Sequence, residues 1–112
     1  PSLQLTRTSS DGDIAVFTKD GTTVGSIQSR AGLVTNIILD PRTDGAGLTG
    51  TTNTIEPVDE TGTRVDNTIN LASSAYRFKD LYLSGDIAHL DAGGNARQMY
   101  KPTTSLLLTE FT

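Results

Sequence analysis

Two acidic pairs, Asp11 with Asp13 and Asp59 with Glu60, are the first places where this sequence could hold chemistry. A hydrolase of polysaccharide needs two carboxylates flanking the scissile bond, one to protonate the leaving oxygen and one to attack or to activate water. Both pairs stand in turn-forming surroundings, Ser9-Ser10-Asp11-Gly12-Asp13 and Asp59-Glu60-Thr61-Gly62, where an aspartate ordinarily accepts bonds from nearby backbone amides. All four therefore read as turn residues. A calcium loop fails on spacing, since the run from Asp11 has no glycine at its sixth position and no acid at its twelfth. His89 is the single imidazole and Cys is absent, so one chain builds neither a thiolate zinc site nor a Cys–His dyad. Three copies of His89 could meet on a threefold axis around an ion. Flanked by Ala88 and Leu90, it reads instead as a sheet residue with one ring nitrogen bonded to a neighbour. Neither a Gly-x-Ser-x-Gly elbow nor a Gly-x-x-x-x-Gly-Lys phosphate loop occurs. Tyr76, Tyr82 and Tyr100 are the side chains able to stack on a sugar, and their plainer role is packing with the hydroxyl at the surface. No catalytic, cofactor or metal residue is assigned, no cofactor is expected, and the receptor-contacting residues are left unassigned.

Composition explains why so few groups are available for chemistry. Leu, Ile, Val and Phe make up about 24% of 112 residues, while Thr and Ser are as numerous and Gly adds 11. That balance favours short strands and turns over amphipathic helices, and it leaves little for a large single-chain core. A net charge of -4, with Arg30, Arg42, Arg64, Arg77, Lys79, Arg97 and Lys101 scattered among carboxylates, offers no stripe for phosphate. Nucleic acid is not an expected partner. No run approaches the roughly 18 apolar residues of a spanning helix, so membrane insertion is not expected either. With no initiator Met and no signal peptide, the chain is expected to be a processed piece or a fragment of something longer.

Alternation places the strands that must carry whatever the chain does. Residues 3–7, 14–18 and 22–28 each suit one short strand, and the Asp11-Gly12 and Asp20-Gly21 pairs between them are hairpin-closing dipeptides. Residues 34–39 form the most apolar run of this half and are expected to be a buried strand, ended by Pro41. The tract 42–54 reads as a loop. Residues 55–58 give a strand that Pro57 confines to an edge or a strand end, and 67–71, 81–84, 87–90 and 105–111 give further short strands. Ser73 or Ser74 can cap a single helical turn near 74–79. Three regions are thus expected: a hairpin module over 1–40, a loop-rich connection over 41–54, and a second β module over 55–112.

Two segments resemble a known family. Residues 7–27, RTSSDGDIAVFTKDGTTVGSI, and 55–87, IEPVDETGTRVDNTINLASSAYRFKDLYLSGDI, are similar to the modules that precede the C-terminal intramolecular chaperone in tailed-bacteriophage tail fibres and tail spikes. The most specific part is the order of pieces: a Ser-Ser-Asp-Gly hairpin, a Lys-Asp-Gly hairpin ending Val24-Gly25-Ser26-Ile27, a Pro-x-Asp-x-x-Gly turn at Pro57, then Asn70-Leu71-x-Ser73-Ser74 and Arg77-Phe78-Lys79-Asp80-Leu81-Tyr82-Leu83-Ser84-Gly85. The pattern departs from the family at Ala72 and Asp86, where glycine is common, and the self-cleaving chaperone does not follow Gly85. The resemblance implies an all-β fold of short antiparallel strands and hairpins in an elongated, intertwined homotrimer, β-prism or triple β-helix-like. It further implies a virion protein, a tail fibre or receptor-binding tip that attaches to a bacterial surface polysaccharide or another host receptor beside other tail proteins. Leu81, Leu83, Val34, Ile37 and Leu39 are then expected to bury against symmetry copies. The alternatives are a fragment of a tail-spike polysaccharide depolymerase, against which the short chain length stands, and a segment of a cellular trimeric adhesin. The module itself is expected not to be an enzyme.

Overall fold

A computed structural model describes residues 1–96. The fold is all-β: one five-stranded antiparallel meander, with strands paired in chain order, and no helix among the described residues. Its strands are β1 (Gly12–Lys19), β2 (Thr22–Arg30), β3 (Val34–Ile38), β4 (Ala46–Thr51) and β5 (Thr54–Asp59). Asp20 and Gly21 close the first hairpin with φ of 52° and 80°, the left-handed pair that a two-residue connection demands. Pro57 stands in the edge strand, where the lost amide costs no ladder bond.

Register converts the sequence into three rows that each cross all five strands. Val16, Ser26, Ile38, Gly47 and Val58 face one another in the first, and Ile38 and Val58 are the buried apolar centre. Asp13, Gln28, Asn36, Thr49 and Glu56 form the second row on the same face. Because successive side chains alternate, the row between them belongs to the opposite face: Ala15, Ile27, Ile37, Leu48 and Pro57. One sheet therefore has a mixed face with a small core and an apolar face.

Several sequence expectations are corrected. Residues 3–7 form no strand, and Asp11-Gly12 opens β1 instead of closing a hairpin, because Asp11 spends its carboxylate on the distant β2–β3 turn, accepting from Gly32 N at 3.0 Å. The loop expected over 42–54 contains β4, whose small residues fit where a larger side chain would not: a Cβ on Gly47 would lie 3.0 Å from Val58 Cγ2. Run 34–39 is buried on one face only, with Ile37 46% exposed. No strand forms over 67–71, 81–84 or 87–90 within the single chain, and 74–79 is a bend, with Tyr76 N donating to Ser73 Oγ at 3.0 Å, not a helical turn. The strand expected over 105–111 lies outside the described residues.

The chain divides into two compact units, Pro1–Leu71 and Ala72–Thr112. They share one local device. In the first unit Asp59 N donates to Thr63 O at 2.9 Å, Gly62 N donates to Asp59 O at 3.0 Å, and Asp59 Oδ1 accepts from the amides of Thr61 and Thr63. In the second, Asp91 N donates to Asn95 O at 2.7 Å, Gly94 N donates to Asp91 O at 2.9 Å, and Asp91 Oδ1 accepts from Gly93 and Asn95. Bridges Val58 to Arg64 and Leu90 to Ala96 close the two turns. Gly62 and Gly94 have matching φ of 87° and 84°, yet a Cβ on Gly94 meets open space while one on Gly62 strikes Gln28 Oε1 and lies 2.6 Å from Asn36 Nδ2. The first turn is packed onto the sheet.

That difference predicts unequal costs for one substitution. Gly62→Ala adds a steric clash to the strain of a left-handed backbone and should destabilise unit 1 by about 2–5 kcal/mol. Gly21→Ala has the same sign of φ but open space, and should cost about 1–2 kcal/mol. Urea unfolding followed by circular dichroism checks this, and equal costs would mean that the 59–64 turn does not rest on Gln28 and Asn36.

Candidate functional site

The chain itself covers the centre of the mixed face, over Asn36, Ile38 and Val58, and leaves Val16 at the β1 end exposed. Asn36, 2% exposed at the middle of β3, donates from Nδ2 to Gly62 O at 3.2 Å and to Gln28 Oε1 at 3.3 Å, and Gln28 Nε2 donates to Asp13 Oδ1 at 2.9 Å. Arg30 reaches over β3 to β4, donating to Thr49 Oγ1 and Gly50 O, both at 3.0 Å. Arg64 pairs with Glu56 at 3.2 Å after the turn. A buried amide-led ladder of this kind fixes register, since a one-residue slip would drive Ile37 beneath the turn and expose Asn36. Asn36 Oδ1 has no hydrogen-bond partner, a cost the sheet carries for using an amide there.

The acidic pairs are taken apart by this arrangement. Asp13 accepts from Gln28 in β2, whereas Asp11 accepts from the adjacent Ser29 Oγ at 3.0 Å and from Gly32 N in the β2–β3 turn, so the two carboxylates are spent on different partners. Asp59 caps its own turn as the sequence suggests, and its carboxyl is held below the usual range, first by the Thr61 hydroxyl and then by the amides around it. The small cleft of about 230 Å³ beside Asp11 is lined by Gln28, Ser29, Arg30, Asn36 and Gly62, side chains and backbone mostly occupied with one another. His89, Tyr76 and Tyr82 are exposed; Tyr82 OH donates to Asp80 at 3.3 Å, and Tyr100 lies outside the described residues. Among the described residues no three His, Asp or Glu side chains converge as a metal site would require.

What the structure does present is apolar surface. On the open face Phe17, Ile37, Leu48 and Ile55 are all more than two-fifths exposed around the row from Ala15 to Pro57. Over 71–90 of the chain, Leu71, Tyr76, Phe78, Leu81, Tyr82, Leu83, Ile87 and Leu90 are each more than half exposed. Scattered exposed leucines are ordinary, but contiguous apolar surface marks an interaction site. Sequence reasoning named Leu81, Leu83, Ile37 and Leu39, all exposed, together with Val34, which lies on the mixed face with Asn36, and it missed Phe17, Leu48 and Ile55; the available signal was Asn36, a polar residue inside an apolar run, which reports that the neighbouring Ile37 faces the other way. Comparison with protein-family models, with curated proteins and with solved structures finds no match.

The electrostatics of unit 1 give a pH prediction. Two side-chain hydrogen bonds from Arg42, at 2.9 and 2.6 Å, then its backbone N–H, hold the Asp40 carboxyl down to about 2 against an ordinary value of 3.8. A depressed folded value contributes stability above the ordinary one and loses it as pH falls through the folded one. The urea midpoint should therefore fall as pH is lowered from about 4 to about 2, and Asp40→Asn should flatten that decline. A variant as acid-sensitive as the wild type would show that this pair does not contribute.

Proposed function

We propose that this chain is a structural and host-attachment module of a tailed-phage tail fibre, working on the virion as a homotrimer. The observation that carries the reading is the run of exposed Leu, Ile and Phe side chains over 71–90, namely Leu71, Phe78, Leu81, Leu83, Ile87 and Leu90, with no strand or helix between 72 and 96 to bury them. A segment so rich in Leu and Phe does not repay the entropy of ordering unless that apolar surface leaves water. Strands supplied by identical copies give it both ladder partners and cover. The same stretch holds the last piece of the resemblance to tail fibres, Arg77 to Gly85, and the paucity of large aliphatic residues fits a fold whose core is shared among chains.

Attachment then works by multiplicity. Three copies on one axis present each weak polysaccharide contact three times, and effective concentration makes the assembly bind where a single contact would not. The chain contributes surface and repetition, and the host polymer is bound, not cleaved.

Sedimentation velocity at micromolar concentration should give about three times 11.9 kDa. Leu83→Asp buries a charge at each of three equivalent positions and should reduce the mass to 11.9 kDa, whereas Tyr82→Asp, at the more exposed position, should leave the trimer intact. A folded wild-type monomer would contradict the assembly. On an array of bacterial capsular and O-antigen polysaccharides the trimer should retain at least one polymer without releasing reducing ends; release of oligosaccharide would favour the depolymerase alternative.

A further inference from the structure

We infer that the groove along the outer edge of β5 is a saccharide subsite, suited to a neutral sugar unit and unsuited to an acidic one. The inference rests on the reading of the chain as an attachment module and names the place where the host polymer is held. The groove has a volume of about 470 Å³ and is lined by Glu56, Pro57, Arg64, Val65, Asp66 and Asn67, all within unit 1. Small-molecule sites run from roughly 300 to 1,000 Å³, so it has room for a sugar ring. It exists because the chain, after the 59–64 turn, comes back beside the edge strand: Arg64 bridges Val58, and Val65 N donates to Pro57 O at 3.2 Å. The chain then turns away at Asn67, whose φ is 55°, with Thr68 Oγ1 donating to Asp66 O at 2.9 Å.

The lining selects the ligand. Pro57 and Val65 are half-buried and give an apolar floor, and the polar groups around them have bonding capacity to spare. Arg64 Nη1 meets Glu56 Oε1 at 3.2 Å in a single contact, which leaves Nε and Nη2 of the one and Oε2 of the other unused among the described residues. Asp66 and Asn67 are exposed, and apart from the Tyr82-type surface contacts seen elsewhere their side chains make no hydrogen bond among the described residues. In the smaller cleft beside Asp11, by contrast, Ser29 is bonded to Asp11 and Asn36 to Gln28. A sugar ring answers this lining on both counts: its C–H face lies on Pro57 and Val65, and its hydroxyls, each donor and acceptor at once, pair with carboxylate, guanidinium and amide alike. An extended peptide does not, because Pro57 has no amide to offer a ladder and its carbonyl already accepts from Val65 N. Charge narrows the class further. One guanidinium against two carboxylates leaves the groove with a net charge of -1 in a chain of net charge -4, so uronate, sialate or sulfate groups meet repulsion and a neutral ring does not.

The test is retention of the full chain on immobilised bacterial capsular and O-antigen polysaccharides sorted into neutral polymers and polymers bearing uronate or sialate. At least one neutral polymer should retain the wild type and no acidic one should. Asn67→Gly removes the amide while suiting the left-handed backbone, and should lower that retention at least tenfold. Asp66→Ala, at an exposed position, should do the same. Asp44→Gly is the matched control: it makes the same kind of replacement at an exposed residue with φ of 65° outside the groove, and it should bind as the wild type does. Circular dichroism and sedimentation of the variants should match the wild type, which separates lost binding from lost fold or assembly. If a neutral polymer holds Asn67→Gly and Asp66→Ala as well as the wild type, the groove assignment is overturned while attachment stands. Retention on acidic polymers alone overturns the inference through its charge argument. If no polymer retains the wild type, the attachment reading itself falls.

Discussion

The structure depends on one amide. Asn36, buried at the middle of β3, donates to the carbonyl of Gly62 and so folds the turn after β5 back over the sheet. Without that tie the mixed face would lose its cover, and Ile38 and Val58, the only two buried large apolar side chains among the described residues, would lose theirs. So small a centre cannot by itself hold a domain against its conformational entropy. Polar contacts across strands, Arg30 to Thr49 and Gln28 to Asp13, supply register instead.

The consequence lies on the other side of the sheet. Alternation is strict along β3, so placing Asn36 and Ile38 under the turn commits Thr35 and Ile37 to the opposite face. Pairing then carries that commitment outward to Ile27 and Ala15 in one direction and to Leu48 and Pro57 in the other. The exposed apolar face is thus the geometric counterpart of the mixed one that the turn partly covers. The second unit follows the same logic with less structure of its own: its Asp91 turn repeats the bonding of the Asp59 turn but has nothing packed against Gly94.

Local pattern made much of the meander legible. Alternation located β1, β2 and β3 to within a few residues, the Asp20-Gly21 turn followed from its left-handed requirement, and Pro57 limited β5 to an edge or a strand end, of which the structure shows the edge. What failed was whatever depended on distant partners. Residues 46–51, AGLTGT, have no strand signal because their small side chains answer to the close backbones of β3 and β5, which no window of sequence contains. Asp11 looked like a hairpin residue because its actual partner, the Gly32 amide, is 21 positions away. Residues 81–84 alternate as a strand should, yet one chain gives them no ladder, and a strand without a partner is not formed. The acidic pairs were legible as turn residues but not as ties between particular strands.

The proposed trimer buries Leu83 between identical copies, and because the chain has no cysteine a single introduced thiol can report on it. In a Leu83→Cys variant, the rate of maleimide labelling should fall as protein concentration rises through the micromolar range, while a thiol at Asn53, in the β4–β5 turn, should react at a constant rate. A Leu83→Cys thiol that labels as fast in concentrated protein as at high dilution would contradict the account.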